Sequence, residues 1–228
     1  MDRHYFLFAL EGTLRLEAGG QRWTLPPARA ALIAAEQLVV VTIASRLTSA
    51  SVLFESQMFN PPQALAVFDV SPLARELVRE CRGWGPEGAS QTAYARQMFR
   101  ALASVIGGLA ATPSPCVLPA PSSRVLARAL ALTEEAASGQ PSFEAIAHAI
   151  GQSPRTLARR FAEEMGMTWR ETLRRIRIIR AVEILASGDA SVTEVAMQVG
   201  YTSLSAFNAA FRDLMGVTPS QYRKTFEA

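Results

Sequence analysis

The chain has 228 residues, about half of them apolar, and a formal net charge of +3. That length suits one large or two small domains with real cores, and the composition excludes a disordered chain. No apolar run reaches the ~18 residues of a membrane span, and the start, Met1-Asp-Arg-His-Tyr-Phe6, has no signal-peptide pattern. Two cysteines, Cys81 and Cys116, are too few for a disulfide scaffold, so the expected compartment is the cytoplasm. They read as inert thiols, with a redox pair as the alternative.

Residues 3–56 read as short strands. An apolar run occupies 5–8, period-2 alternation runs through 13–17 and 21–25 with Gly19-Gly20 as a hairpin turn between them, and Pro26-Pro27 closes the second. Segments 31–34, 38–43 and 51–54 follow. Such a series predicts a small sandwich or barrel. A helix is expected over 63–82, with Leu73, Leu77 and Val78 on one face, until Gly83-Trp-Gly-Pro86 breaks it. A longer helix is expected over 90–111, where Tyr94, Met98, Leu102, Val105 and Leu109 form one stripe. That stripe packs onto the strands, makes a dimer seam, or does each on a different flank of the helix.

Pro113, Pro115, Pro119 and Pro121 make 112–123 a semi-rigid linker. The expected organisation is a regulatory or dimerisation domain at 1–111, the linker at 112–123, and a second domain at 124–228 that opens with a helix at 125–137. The fold class is α+β: a small N-terminal barrel with helices, then an all-α domain.

That second domain contains one pattern written twice. Ser142 caps a short helix with Phe143, Ile146, Ala147 and Ile150 inward; Gly151 stops it, and Ser153-Pro154 starts another that buries Leu157 and Phe161 and ends at Gly166. The second copy runs from the capping box Ser191-Val-Thr-Glu194 through Val192, Val195, Ala196 and Val199 to Gly200, then into a helix expected to bury Leu204, Phe207 and Phe211 and to end at Gly216. A last helix follows Thr218. Two short helices about a glycine turn, with polar residues outside the second, describe a helix-turn-helix. The outer faces are Arg155, Thr156, Arg159 and Arg160 in the first copy, and Ser203, Ser205, Asn208 and Arg212 in the second.

Between the copies, 168–186 reads as a single helix with Trp169, Leu173, Ile176, Ile179, Val182 and Leu185 along one stripe. Its 19 residues span ~28 Å, close to the ~34 Å of one turn of B-DNA. Two recognition helices on such a rod suit successive major grooves. Eight arginines lie between Arg155 and Arg180 against Glu163, Glu164 and Glu171. Of these, Arg170, Arg174, Arg175 and Arg177 are expected to be available for phosphates.

Residues 123–225 resemble the C-terminal DNA-binding domain of AraC-type (AraC/XylS) transcription regulators. The likeness is carried by Ser153-Pro-Arg-Thr-Leu-Ala-Arg-Arg-Phe161, Glu164-Met-Gly-Met-Thr168, Arg177-Ile-Ile-Arg-Ala181, Val195-Ala-Met-Gln-Val-Gly-Tyr201, Ser205-Ala-Phe207, Phe211-Arg212 and Gly216-Val-Thr-Pro-Ser-Gln-Tyr222. The resemblance implies a sequence-specific regulator that binds double-stranded promoter DNA through two helix-turn-helix units. It points to Arg155 and Arg159 as base readers, Ser153, Thr156 and Arg174 as phosphate contacts, and Ser203, Ser205 and Asn208 as the polar candidates of the second unit, with Arg160 and Arg212 on the same surfaces. Ala206 and Ala209 offer at most contact with a thymine methyl.

Residues 10–29 resemble the hairpin of a cupin-type barrel, here truncated. The resemblance to AraC-type regulators implies that such a domain takes a small effector or mediates dimerisation; the stripe of the 90–111 helix is the expected dimer seam, and RNA polymerase is a further expected partner of an activator. Cupin enzymes hold a metal with clustered histidines, whereas this chain has only His4 and His148 outside such a motif. The expectation is therefore no enzyme, no metal and no cofactor. The alternatives are a ligand-independent DNA-binding protein under a partner's control and, further off, a cupin-type enzyme. Trp23, Leu14, Leu16 and Phe54 filling the barrel would favour the ligand-independent form.

Overall fold

The computed structural model describes residues 2–27, 29–43, 46–84 and 92–226. They divide into two units: 1–16 with 25–114 and 225–228, and 17–24 with 115–224.

In the first unit the strands β1 (Arg3–Glu11), β4 (Arg29–Ile33), β6 (Thr48–Glu55) and β7 (Leu65–Asp69) make an antiparallel sheet in the order β6-β1-β4-β7. Register pairs Phe6 with Leu32 and Val52, and Phe68 with Ala30. Period 2 therefore puts Phe6, Phe8, Ala30, Leu32, Phe54 and Phe68 on one face. The helices α1 (Pro72–Cys81) and α2 (Ala93–Ala110) complete that core with Ala74, Val78, Leu102 and Ile106. Leu7, Ala31 and Val67 on the other face are buried as well. So are Leu14 and Leu16, which begin and centre β2 (Leu14–Ala18). Positive φ at Gly19 and Gly20 gives the hairpin turn its mirror-image geometry.

Two sequence expectations are corrected here. The stretch 63–82 is not one helix: 65–69 is β7, because its backbone completes the sheet beside β4, and the helix starts only where Ser71 Oγ accepts from Ala74 N. Leu73 is exposed, and the inward positions of α1 are Ala74, Val78 and Cys81. The stripe of α2 is divided: Leu102 is buried, Met98, Val105 and Leu109 are half-buried against the core, and Tyr94 is 53% exposed. Positions 85–86 of the expected break and 90–91 of the expected helix lie outside the described residues.

His4 is buried, and both its ring nitrogens are committed to backbone. Nε2 donates toward the Phe59 and Ser56 carbonyls at 3.0 and 3.2 Å, and Nδ1 accepts from Ala35 N at 2.9 Å. Among the described residues no group of three His, Cys, Asp or Glu side chains is placed to hold a metal, and no helix is long and apolar enough to cross a membrane.

In the second unit, β3 (Gln21–Leu25) pairs through Gln21, Arg22 and Trp23 with β8 (Val117–Pro119). The stretch read as a linker thus carries a strand. Arg22 also pairs with Glu134. The rest is helical: α3 (Arg124–Ala136), α4 (Phe143–Ala149), α5 (Pro154–Met165), α6 (Trp169–Ser187), α7 (Val192–Gln198), α8 (Leu204–Met215) and α9 (Pro219–Lys224).

Candidate nucleic-acid interface

The glycine turns of the two copies are held by the same pair of backbone hydrogen bonds. In the first turn Gly151 N donates to His148 O at 3.0 Å and Gln152 N to Ala147 O at 2.9 Å; in the second, Gly200 N donates to Met197 O at 3.0 Å and Tyr201 N to Ala196 O at 2.9 Å. Gly151 and Gly200 have φ of +67° and +90°. The glycines differ in surroundings. A Cβ on Gly151 meets nothing within 4 Å, whereas on Gly200 it would lie 2.7 Å from Ala137 O and 2.9 Å from Arg177 Nη2. The second turn is one residue longer, and Tyr201 packs edge-on to Phe207 under the Arg177 guanidinium.

Every helix start is capped by a side chain of the expected kind. Ser142, Ser153 and Ser203 accept from the third residue onward, and Thr168 with Glu171 and Ser191 with Glu194 form reciprocal capping boxes. The Thr168 amide, then its hydroxyl, hold the Glu171 carboxyl below its ordinary range; Ser191 does the same for Glu194.

Each copy has its own aromatic core. Phe143 packs on Phe161 and Trp169, and Trp169 Nε1 donates to buried Thr133 Oγ1 at 3.0 Å. In the second copy the chain of rings is Tyr201, Phe207, Phe211 and Tyr222. The connecting helix buries the whole expected stripe, and Ile178 and Ala181 in addition.

On α5, Ser153, Arg155 and Arg159 are exposed and Thr156 is half-buried. Ser153 Oγ lies 2.9 Å from Thr156 Oγ1, and Arg159 reaches Glu163 at 3.4 Å across the helix surface. Arg160 is placed differently from its expected outward position. It is half-buried and leans on Glu164 at 3.4 Å, because its position in the repeat, occupied by buried Ala210 in the second copy, faces inward. On α8, Ser205 and Arg212 are exposed and Asn208 is half-buried, with exposed Ser203 as the cap. Leu204, expected inside, is 41% exposed at the first position of the helix.

The arginines of α6 divide into two groups. Arg170 is exposed, and Arg174 is exposed but paired with Asp213 of α8 at 2.7 Å. Arg175 and Arg177 are not the free cations expected. Arg175 donates to Pro115 O at 3.1 Å; Arg177 donates to Ala137 O at 2.9 Å and Gly139 O at 2.7 Å, satisfying carbonyls beyond the end of α3. Arg180 bonds to Glu134 O in the same way.

Glu164 is a residue whose role the sequence did not disclose. Its carboxylate accepts from Ser122 N, Ser122 Oγ, Ser123 N and Ser123 Oγ at 2.7–3.1 Å, and so fixes the start of α3. Burial pushes this carboxyl up, but the Ser123 and Ser122 hydroxyls, the Ser123 amide and Arg160 outweigh it and leave it below the ordinary value. A carboxylate three residues past the last core aromatic gives no such signal in sequence, since its partners lie about forty positions away.

Taken together, α4–α5 and α7–α8 are two helix-turn-helix units on a common helix, each with a recognition helix that presents an exposed polar side. The helix-turn-helix domain pattern matches residues 146–225. Residues 146–225 are an AraC-type helix-turn-helix domain, and the relatives the chain matches are AraC/XylS regulators. The chain is 40% identical over 86 residues to the transcriptional regulator VirS of Mycobacterium tuberculosis, covering 38% of this chain and 25% of that one. Over 222 residues it is 28% identical to the transcriptional regulator NimR of Escherichia coli, covering 95% and 78%. It is also similar to the DNA-binding domain of AdpA, a global transcriptional factor solved with a target DNA, at 32% identity and a TM-score of 0.43, covering 46% and 95%. The chain spans about a quarter of the length of the mycobacterial relatives.

Proposed function

We infer that this protein is a cytoplasmic, sequence-specific regulator of transcription that binds double-stranded promoter DNA with α5 and α8 in successive major grooves. The observation that carries this reading is the pairing of two like-folded units on one rigid 19-residue helix, with Arg155 and Arg159 exposed on the first recognition helix. Arginine is the usual bidentate partner of guanine. Ser153 and Thr156, at the positive N-terminal end of α5, suit a phosphate, and Arg174 suits one between the units once it leaves Asp213. Ser203, Ser205, Asn208 and Arg212 serve the second groove.

The N-terminal unit, which we read as a cupin-like domain, sets the activity. Leu14 and Leu16 are buried, but Phe54 belongs to the core under α1 and α2, and Trp23 stands on β3 in the second unit, so the four do not act together as one plug. Control by a small effector, by dimerisation or by a protein partner, RNA polymerase included, all fit this unit. A homodimer would use what α2 leaves exposed around Tyr94. The test is selection from a random duplex pool by the full chain. The expected result is enrichment of one defined site; a pool that stays random after repeated rounds contradicts the reading.

A further inference from the structure

The two recognition helices present different chemistry at their N-terminal turns. Pro154 and Arg155 open α5; Leu204 and Ser205 occupy the same places in α8. The second helix offers little for hydrogen bonding there. Ser203 Oγ and Ser205 Oγ lie 2.8 Å apart, so one hydroxyl proton is used between them, and Ser203 Oγ also accepts from Ala206 N. Leu204, 41% exposed, adds an aliphatic side chain at this turn, and Ala206 and Ala209 are exposed elsewhere around the helix. Leu204 is therefore an aliphatic side chain displayed at the end of the recognition helix that reaches base edges in helix-turn-helix docking. In the major groove the one apolar feature that distinguishes a base is the 5-methyl of thymine.

We propose that the second helix-turn-helix unit selects thymine through its 5-methyl group, with Leu204 as the principal contact and Ala206 and Ala209 as lesser ones. The proposal rests on the reading of the domain as a DNA reader. Burying one methyl contributes enough for about a fourfold change in affinity. Arg212 and Asn208, further along α8, then serve phosphate or a neighbouring base. The two units would read by opposite means: charge-assisted hydrogen bonds from Arg155 and Arg159, methyl contact from Leu204.

The experiment uses the full chain and the duplex enriched from a random pool, with binding followed by fluorescence anisotropy. Thymines in the half contacted by the second unit are replaced by deoxyuridine, which removes the methyl and keeps the pairing; the other half is substituted as a control. The expected result is about a fourfold rise in Kd per contacted methyl in the second half only, reversed by 5-bromodeoxyuridine, whose bromine fills the methyl's place. Leu204→Ala should weaken binding to the thymine duplex and abolish most of the uracil effect, with an unchanged thermal melt. An unchanged Kd for the uracil duplex, or a second half without thymine, overturns the proposal while the protein still binds its site. Failure to enrich any site removes the DNA-reading function itself, and this proposal with it.

Discussion

Arg155 and Arg159 stand one turn apart on the exposed side of α5, and each can offer a guanidinium fork to the O6 and N7 of a guanine. Replacing either with alanine should relax preference at one or two base pairs, at a cost of about 1–3 kcal/mol. Footprints of the variants on a panel of single-base changes check this; unchanged preference at every position would be the contrary result. Glu164 makes a prediction about stability. Its folded pKa is depressed, so its contribution is present above the ordinary glutamate value of about 4.3 and disappears as pH falls through the lower folded value. Glu164→Gln should cost about 1–3 kcal/mol at pH 7, and the gap between the variant and the parent should narrow steadily as pH falls below the ordinary glutamate range. Urea unfolding of both proteins across a descending pH series measures it; a gap that stays constant down the series would place the effect in packing instead.

At the scale of elements, the two turns separate backbone strain from crowding. Gly151→Ala should cost about 1–2 kcal/mol for a left-handed residue alone. Gly200→Ala should cost about 2–5 kcal/mol, since its methyl also meets the Ala137 and Ser138 carbonyls. Unfolding midpoints that rank the other way would mean α3 does not sit against the second turn. The arginines in the middle of α6 have different duties: Arg177 and Arg180 hold α3, and Arg174 is exposed and paired with Asp213. Arg174→Ala should weaken all sequences alike and lower the salt slope by about 1. A specificity change without a slope change speaks against a phosphate role.

These elements also show where sequence reasoning succeeds. Caps, glycine stops and the 3.6-residue period are local, so α4 to α8 and the stripe of α6 could be read from residues within one or two turns of each other. The strand β7 could not, because four apolar residues and an aspartate form a strand only where β4 is present to pair with them. The β3–β8 pairing joins residues about a hundred positions apart and leaves no periodic mark. At the site, which positions face outward followed from spacing for Arg155 and Arg159. Arg160, Arg177, Glu164 and Leu204 depended on tertiary neighbours, which a list of charges and apolar residues does not contain.

For the whole molecule, a net charge of only +3 on a chain with 23 basic residues supplies little general attraction to DNA, so the account rests on where the exposed arginines stand. A dimer would double that surface and select two inverted half-sites; a monomer would select one. The central claim is that α5 and α8 work as one device, spaced by α6. Hydroxyl-radical footprinting on the enriched duplex tests it most directly. The account predicts two protected blocks on the same face of the helix, about 10 base pairs apart. A single block, or two blocks about half a turn out of phase, would contradict it.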